Sequence, residues 1–275
     1  MSAFEAIILG IVQGLTEFLP ISSSAHLRIV PALVGWSDPG AGFTAIIQLG
    51  TMAAVVLYFW SDLWRIAVAW LSSLRDKDKR QDPDARMGWY LIIATIPISI
   101  LGLAFSHSIE TGARNLWLIA TTLVVGGLIL FVADRLDNAR KTLADLDAKD
   151  GVLIGLAQSL ALIPGMSRSG STISAGLFLG YNRKDAARFS FLLSVPAVVL
   201  SGVFSLKDVG TGSHPGVVPT IIATVVSFVI GYAAIAWLLR YLTDHSTLIF
   251  VIYRVALGLL LFALLGAGTI SATKL

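Results

Sequence analysis

Two short stretches of the chain carry most of the side chains that could act on a phosphate group. The first reads QGLTEFLPISSSAH and covers residues 13–26, and the second reads PGMSRSGST and covers residues 164–172. Each combines hydroxyl groups with an ionisable side chain, Glu17 in the first and Arg168 in the second. Both lie in otherwise apolar sequence, where charges are costly and therefore mark functional sites. We expect the two stretches to meet and form one phosphate-handling site.

The spacing within the first stretch predicts two helices that meet at a break. Gln13 and Glu17 are four residues apart and share a helix face, while Ser23 and His26, three apart, share a face just after Pro20. A carboxylate, a hydroxyl and an imidazole are groups that enzymes use for acid–base and nucleophilic catalysis. We therefore take Glu17, Ser23 and His26, together with the arginine of the second stretch, as candidate catalytic residues.

Both breaks place serine residues where a helix begins, and such an N-terminus can hold an anion through backbone N–H groups and hydroxyls. The guanidinium of Arg168 adds a planar fork of donors suited to phosphate oxygens. Two opposed helix N-termini and one arginine predict a site for a polyanion such as a diphosphate. The candidate phosphate-binding residues are Gln13, Ser22, Ser24, Ser167, Ser169 and Thr172.

The sequence also allows simpler roles for these residues. Ser22 and its neighbours could serve only as a helix cap, and His26 could merely bond a nearby carbonyl. Arg168 could act only as the partner of Glu17, which would still bring the two stretches together. Arg254, a charge on the last apolar segment, is expected to support the site rather than to react.

A metal site receives weak support from the residues themselves. Glu17 with a nearby amide could help to hold a hard cation whose remaining ligands are water and substrate oxygens. The sequence contains no His/Cys cluster with zinc spacing.

Composition fixes the class of protein that must position these residues. The 275 residues are 56% hydrophobic and only 13% charged, with a mean hydropathy of +0.80. Because soluble domains carry about 25% charged residues, the chain is predicted to be an all-α polytopic membrane protein. The absence of cysteine excludes a disulfide framework and a thiolate nucleophile. The net charge of +3 reflects basic loops and gives no reason to expect a nucleic-acid partner.

The apolar segments predict a single membrane domain built from two repeats. Residues 3–34 and 151–180 each favour a re-entrant helical hairpin, because broken backbone at membrane depth belongs at a site. Each hairpin is followed by three predicted spans, and the halves echo one another, for example in QGL at 13–15 and QSL at 158–160. Three crossings per half would invert the second repeat relative to the first. The predicted spans are 43–60, 87–106, 115–133, 188–206, 217–239 and 248–267, with repeat 1 over about 1–134, a charged linker over 135–150 and repeat 2 over 151–275.

The loop charges orient this arrangement through the excess of Lys and Arg on the cytoplasmic side. With six spans, fourteen of the loop cations fall on one side of the membrane and four on the other. The side with fourteen is predicted to be cytoplasmic, which places both termini outside and the first hairpin on the outer side. The cytoplasmic set is Arg65, Arg75, Lys77, Lys79, Arg80, Arg86, Arg135, Arg140, Lys141, Lys149, Arg183, Lys184, Arg188 and Arg240. The outer set is Arg28, Arg114, Lys207 and Lys274.

Together the two stretches resemble the signatures of the undecaprenyl-diphosphate phosphatase, or bacitracin-resistance, family of bacterial membranes. The similarity extends over the whole chain and includes IQLG at 47–50, FSFLLSVP at 189–196 and IYR at 252–254. The chain departs from the pattern at Gln13, where some members have Glu, and at Ser24-Ala25, where others have Thr-Gly.

The resemblance implies a membrane enzyme that hydrolyses undecaprenyl diphosphate to undecaprenyl phosphate and inorganic phosphate at the outer face of the plasma membrane. It carries functional roles to Glu17, Ser23, His26, Ser167, Arg168 and Thr172, with Gln13 beside them. It also implies a divalent cation, Mg²⁺ or Ca²⁺, as cofactor. The expected partners are a polyprenyl diphosphate lipid, the bilayer and further copies of the chain in a homo-oligomer.

Three features of the chemistry stay open at this point. Ser23 is the favoured nucleophile, activated by Glu17 or His26, but attack by water or by His26 itself is an alternative. A lipid-phosphate flippase on the same inverted-repeat scaffold is the rival function. An intramembrane serine protease built on Ser167 is disfavoured because the later histidines, His214 and His245, lie in predicted loops.

Overall fold

In the computed structural model of the protein, the chain is described for residues 1–105, 115–136, 139–205 and 216–273. These residues form eleven α-helices and no strand, which confirms the predicted all-α class for this part of the chain. Arg114, Lys207 and Lys274, three of the four cations expected outside, lie beyond the described residues, as do positions 106 and 206 at the ends of two predicted spans. The helices are α1 (Ala3–Phe18), α2 (Ser23–Val34), α3 (Gly40–Tyr58), α4 (Trp60–Arg75), α5 (Pro83–Ala104), α6 (Leu116–Leu136), α7 (Ala148–Gln158), α8 (Arg168–Phe178), α9 (Arg183–Ser205), α10 (Val217–Asp244) and α11 (Leu248–Gly266).

Among the described residues, four helices are long and apolar enough to cross a membrane, namely α5, α6, α10 and α11. A fifth span results if α3 and α4, which meet at an angle of 77°, count as one bent element. The predicted span near 188–206 lies in α9, whose first turn carries several charges and which does not belong to this group. The chain is therefore a multi-pass helical membrane protein, with four or five candidate spans where six were predicted.

Helix α4 occupies part of the segment that we predicted to be a charged loop, residues 61–86. Its apolar side chains recur at helical spacing, and Trp60, Trp64, Val68 and Leu71 remain exposed along one face. In a membrane protein such a face can contact lipid, so the helix needs no protein partner on that side. We did not predict the helix because the many charged residues of the segment indicated a loop.

Two helix pairs are broken where the sequence predicted breaks. Helices α1 and α2 are joined by residues 19–22, and α7 and α8 by a 3₁₀ turn, Ser159–Leu162, followed by residues 163–167. We call these pairs the first and second hairpins, and their connections the first and second breaks. Each hairpin packs most extensively against the other half of the chain, since α1 lies against α10 and α7 against α5.

Glycines allow these helices to approach closely. A Cβ atom on Gly14 of α1 would lie 2.7 Å from the Ile230 Cβ of α10, and one on Gly155 of α7 would lie 2.3 Å from the Ala94 carbonyl oxygen of α5. Both distances are too short for a side chain. The hairpins are thus fixed by backbone-to-backbone packing across the two halves.

The two hairpins are held by different contacts at the ends opposite their breaks. In the second hairpin, Asp150 accepts hydrogen bonds from the Tyr181 hydroxyl at 2.6 Å and the Lys141 ammonium at 2.8 Å. Burial and this contact raise the pKa of Tyr181, and the hydrogen bond to Asp150 raises the pKa of Lys141. In the first hairpin, the rings of Phe4 and Trp36 meet edge to face with their centroids 6.2 Å apart. Both hairpins are therefore closed at the ends opposite their breaks.

Candidate active site

A cavity of about 230 Å³ lies where the two breaks meet. Both hairpins contribute to it, so the structure brings the two motifs together. Of the eleven predicted site residues, seven line this cavity and four, namely His26, Ser169, Thr172 and Arg254, do not. The lining residues are Gln13, Thr16, Glu17, Ser22, Ser23, Ser24, Thr44, Gln48, Ile98, Ala161, Ser167, Arg168, Ala197 and Val198.

The Glu17 carboxylate is the centre of the polar contacts in this cavity. Its Oε2 accepts hydrogen bonds from the Ser23 hydroxyl at 2.6 Å and from Gln13 Nε2 at 3.2 Å. Its Oε1 accepts one from Arg168 Nη2 at 2.8 Å, which links the first hairpin to the second. A carboxylate that already accepts the proton of a serine hydroxyl is placed to remove that proton when the oxygen attacks.

Arg168 uses only part of its guanidinium on Glu17. Its Nη1 is buried and has no hydrogen-bond partner among the described residues. An unpaired buried donor on a charged group is costly, and a phosphate oxygen would satisfy it. Half of the arginine fork is thus available to an anion in the cavity.

Gln13 also has one unused polar atom. Its Nε2 donates to Glu17 and, at 3.3 Å, to the Thr51 hydroxyl, whereas its Oε1 is buried without a partner among the described residues. The orientation of the amide is set by Glu17, because an ionised carboxylate only accepts hydrogen bonds. The free oxygen can therefore accept a hydrogen bond or contact a cation.

Helices α2 and α8 begin at the cavity with the same local geometry. Ser22 and Ser167, the residues before them, have φ angles of 76° and 75°, a left-handed conformation unusual for serine. Each hydroxyl accepts a bond from the backbone N–H three residues on, Ala25 or Gly170. Strained backbone of this kind is kept where the surroundings enforce it, often at functional sites.

Ser24 and Ser169, which lie two positions after Ser22 and Ser167, have different surroundings. Ser24 lines the cavity and lies 3.2 Å from the Ser22 hydroxyl, oxygen to oxygen. Ser169 keeps the matching 3.2 Å contact with Ser167 but donates to the Leu19 carbonyl and does not line the cavity. Among the predicted phosphate-binding residues, Ser169 thus connects the two breaks.

His26 lies beside the cavity rather than in its wall. One ring nitrogen, Nδ1, is 2.7 Å from the Ser22 carbonyl oxygen, and the other, Nε2, is 2.7 Å from the Tyr253 hydroxyl. The two rings stack with centroids 5.5 Å apart. Because both nitrogens are engaged, the structure gives His26 a role in holding the first break.

Thr172 is likewise removed from the cavity wall. Its hydroxyl donates to the Arg168 carbonyl at 2.9 Å and lies 2.6 Å from the Ser190 hydroxyl of α9. It therefore fixes the first turn of α8, from which Arg168 projects.

Arg254 is completely buried on α11, and its hydrogen bonds within the described part of the chain go to backbone carbonyls. It donates to Pro20 of the first break at 3.1 Å and to Gly165 and Met166 of the second at 3.3 and 3.0 Å. Two more bonds reach carbonyls of α6, at Thr122 and Leu123. At this position Arg254 supports both breaks from behind.

Sequence reasoning missed the contribution of α3 to this cavity. Thr44, Gln48 and Thr51 follow one another at spacings of four and three, which places them on one helix face. Thr44 and Gln48 line the cavity, and Thr51 contacts Gln13. The spacing of three polar residues in an apolar span was the available signal.

A family model described as "Bacitracin resistance protein BacA" matches residues 6–260, a range that includes both breaks and the cavity. The chain belongs to this family. Similar proteins include the undecaprenyl-diphosphatase of a Nocardioides species, 57% identical over 269 residues that cover 98% of both chains. The undecaprenyl-diphosphatase of Micrococcus luteus is 56% identical over 277 residues, covering 99% of this chain and all of that protein. Membership in the BacA family agrees with the resemblance found from the motifs.

Proposed function

We propose that this membrane protein hydrolyses undecaprenyl diphosphate to undecaprenyl phosphate and inorganic phosphate, with Ser23 as nucleophile and Glu17 as its base. The observation that carries this assignment is the 2.6 Å hydrogen bond from the Ser23 hydroxyl to Glu17, in a cavity that also contains a free arginine donor. The names of the BacA-family relatives agree with this substrate. The activity recycles the lipid carrier for cell-wall synthesis and underlies bacitracin resistance.

The reaction follows from the contacts of these groups. The Ser23 oxygen attacks the terminal phosphorus while its proton passes to Glu17. The bond between that phosphorus and the bridging oxygen breaks, and undecaprenyl phosphate leaves. Water then attacks the phosphoserine: the Ser23 oxygen leaves the phosphorus and takes the proton back from Glu17, and inorganic phosphate departs with the protons of the water. Arg168 and the N-termini of α2 and α8 hold the phosphate oxygens, because phosphoryl transfer depends mainly on positioning and charge neutralisation.

The contacts favour Ser23 over His26 as nucleophile, since both His26 nitrogens are bonded to Ser22 and Tyr253. Direct attack by water would leave Ser23 as a mere ligand. Rapid quenching with labelled substrate, followed by mass spectrometry, distinguishes the three routes. We expect the label on Ser23; label on His26, or none under conditions that trap a phosphoserine, would contradict the mechanism.

A divalent cation, Mg²⁺ or Ca²⁺, is part of the proposal. No group of three or more metal-binding side chains occurs among the described residues, so the protein itself supplies few ligands. Glu17 and the free Oε1 of Gln13 fit one side of a hard cation that otherwise contacts water and phosphate oxygens. Such an ion would neutralise diphosphate charge. Chelation should abolish phosphate release, and Mg²⁺ or Ca²⁺ should restore it.

The membrane arrangement that we propose is a pair of inverted repeats whose hairpins are re-entrant, with the cavity open to the outer side and both termini outside. The matching φ angles of Ser22 and Ser167 and the excess of cations in the predicted cytoplasmic loops support it. Since the chain lacks cysteine, single cysteines test it directly. One at Lys77 should react only from the cytoplasm and one at Ser37 only from outside, whereas the reverse pattern would exclude this orientation.

The decisive experiment measures phosphate release from undecaprenyl diphosphate by protein purified in detergent. Wild type should turn over without a membrane gradient, and Glu17→Gln should be inactive but folded. Movement of the lipid across a vesicle membrane without phosphate release would instead support the flippase.

A further inference from the structure

We propose that Gln48 binds the phosphate that stays on the lipid and thereby contributes to the binding of a prenyl diphosphate and of its lipid monophosphate product, but not of inorganic phosphate. This inference rests on the proposed phosphatase activity. It concerns a residue of α3 that lies outside both signature motifs and has no part in the phosphoryl-transfer steps described above.

The cavity has two chemically different ends. The reacting groups Ser23, Glu17 and Arg168 gather where the two hairpins meet. The apolar side chains of the lining include Ile98 of α5 and Ala197 and Val198 of α9, and we call these three the apolar edge of the cavity. The neighbouring side chains on those helices, among them Ile96, Ile100, Val199 and Leu200, are exposed to the surroundings of the protein. This edge suits the hydrocarbon of a lipid.

A prenyl diphosphate has a fixed order of groups that must match these ends. Its terminal phosphate belongs beside Ser23 and Arg168, and its hydrocarbon belongs at the α5–α9 edge. The lipid-linked phosphate then lies between them, next to the wall that α3 provides through Thr44 and Gln48. This phosphate becomes part of the leaving group.

Gln48 is the donor that this wall offers. The hydroxyl of Thr44, one turn earlier, already donates to the Gly40 carbonyl at 3.0 Å, and the apolar edge has no side-chain donor. The Gln48 amide lines the cavity, is half-buried and makes no side-chain hydrogen bond within the described part of the chain. An amide without a protein partner in a membrane span is stabilised by a polar ligand.

The proposed contact predicts that Gln48 contributes to the binding of one product and not of the other. Undecaprenyl phosphate carries the phosphate that Gln48 would bind, whereas inorganic phosphate derives from the terminal position held by Arg168. A loss of the amide should therefore weaken binding of a lipid monophosphate and of the diphosphate substrate. A residue that only stabilised the fold would weaken both products together.

The experiment uses the full chain in detergent, with farnesyl diphosphate as substrate and farnesyl phosphate and inorganic phosphate as product inhibitors. Gln48→Leu removes the donor at similar size, and Leu49→Ala, on the exposed face of the same helix, is the control. We expect Gln48→Leu to raise KM and the farnesyl phosphate inhibition constant about 10-fold, as for a lost hydrogen bond to a charged group. The inhibition constant for inorganic phosphate should change less than about twofold, and Leu49→Ala should resemble wild type.

A second variant protects the test against a folding defect. Gln48→Glu keeps the size and polarity of the side chain but places a negative charge beside the lipid-linked phosphate. This variant should raise the inhibition constant for farnesyl phosphate further than Gln48→Leu does. It should again have little effect on the inhibition constant for inorganic phosphate. Equal changes for both inhibitors, or no change for either, in variants with wild-type thermal unfolding would overturn the role of Gln48. Failure of wild type to release phosphate would instead overturn the proposed function.

Discussion

The two breaks share a backbone and differ in the side chains that they present. In both, a serine with a φ angle near 75° caps the next helix and contacts a second serine two residues on. The residue after the capping serine is Ser23 in the first break and Arg168 in the second. The repeated geometry thus offers two helix N-termini to an anion, and the chemical asymmetry places a nucleophile opposite a cation.

The strongest test of this asymmetry compares serines in the two breaks. Ser23→Ala should reduce kcat at least about 10³-fold, because it removes the proposed nucleophile. Ser167→Ala removes only a helix cap, worth about 1 kcal/mol, and should cost about 10-fold or less. Phosphate release and thermal unfolding of the two purified variants check both values. Similar losses in kcat would mean that the breaks are functionally equivalent.

The second break contains no acidic residue that could replace Glu17, so its loss should remove the base altogether. We expect Glu17→Gln to lower kcat about 10²- to 10⁴-fold, the usual range for an acid–base group, while the variant still folds. The amide can still accept from Ser23 but cannot take its proton. Turnover close to wild type in a steady-state assay would exclude Glu17 as the base.

The two intramembrane arginines should respond differently to replacement by lysine. Arg168→Lys should lower kcat about 10- to 100-fold with little change in thermal stability, because a point charge cannot replace the fork that holds Glu17 and phosphate. Arg254→Lys should chiefly lower the unfolding temperature, since its five carbonyl contacts cannot all be kept. Unfolding curves and kcat for both variants separate these roles. A stable Arg254→Lys variant with a selective loss of kcat would give Arg254 a direct part in the reaction.

The contacts at the hairpin ends lead to the smallest effect. Lys141→Ala should destabilise the second hairpin by at most about 1 kcal/mol, because its ammonium is partly exposed and screened. Since Asp150 raises the pKa of Lys141 above the ordinary 10.5, this stability is present below that pH and is lost as pH rises through the folded value. The difference in unfolding temperature from wild type should therefore stay constant up to the ordinary lysine pKa of 10.5 and shrink only above it. Lys149→Ala is the control, and an unchanged difference at high pH would show that Lys141 acts by packing.

Much of the site could be predicted from the sequence because its signals are local. Charges in apolar sequence identified Glu17 and Arg168, and Pro20 with its serines located the first break. The position of His26 could not be predicted, since it depends on Tyr253 at the far end of the chain. The helix at Trp60–Arg75 was missed because the charges of the segment outweighed the helical spacing of its apolar side chains. An apolar face that can contact lipid has the same periodicity as one that packs against a protein core.

The contacts of Arg254 bear on why the two halves of the chain cannot be separated. This side chain belongs to the second half, yet it satisfies carbonyls at Pro20, Thr122 and Leu123 of the first. Because the same guanidinium also bonds Gly165 and Met166 of the second break, one side chain connects the backbones of both halves. A second half expressed alone would lack the surface that encloses this arginine, so the two halves depend on each other.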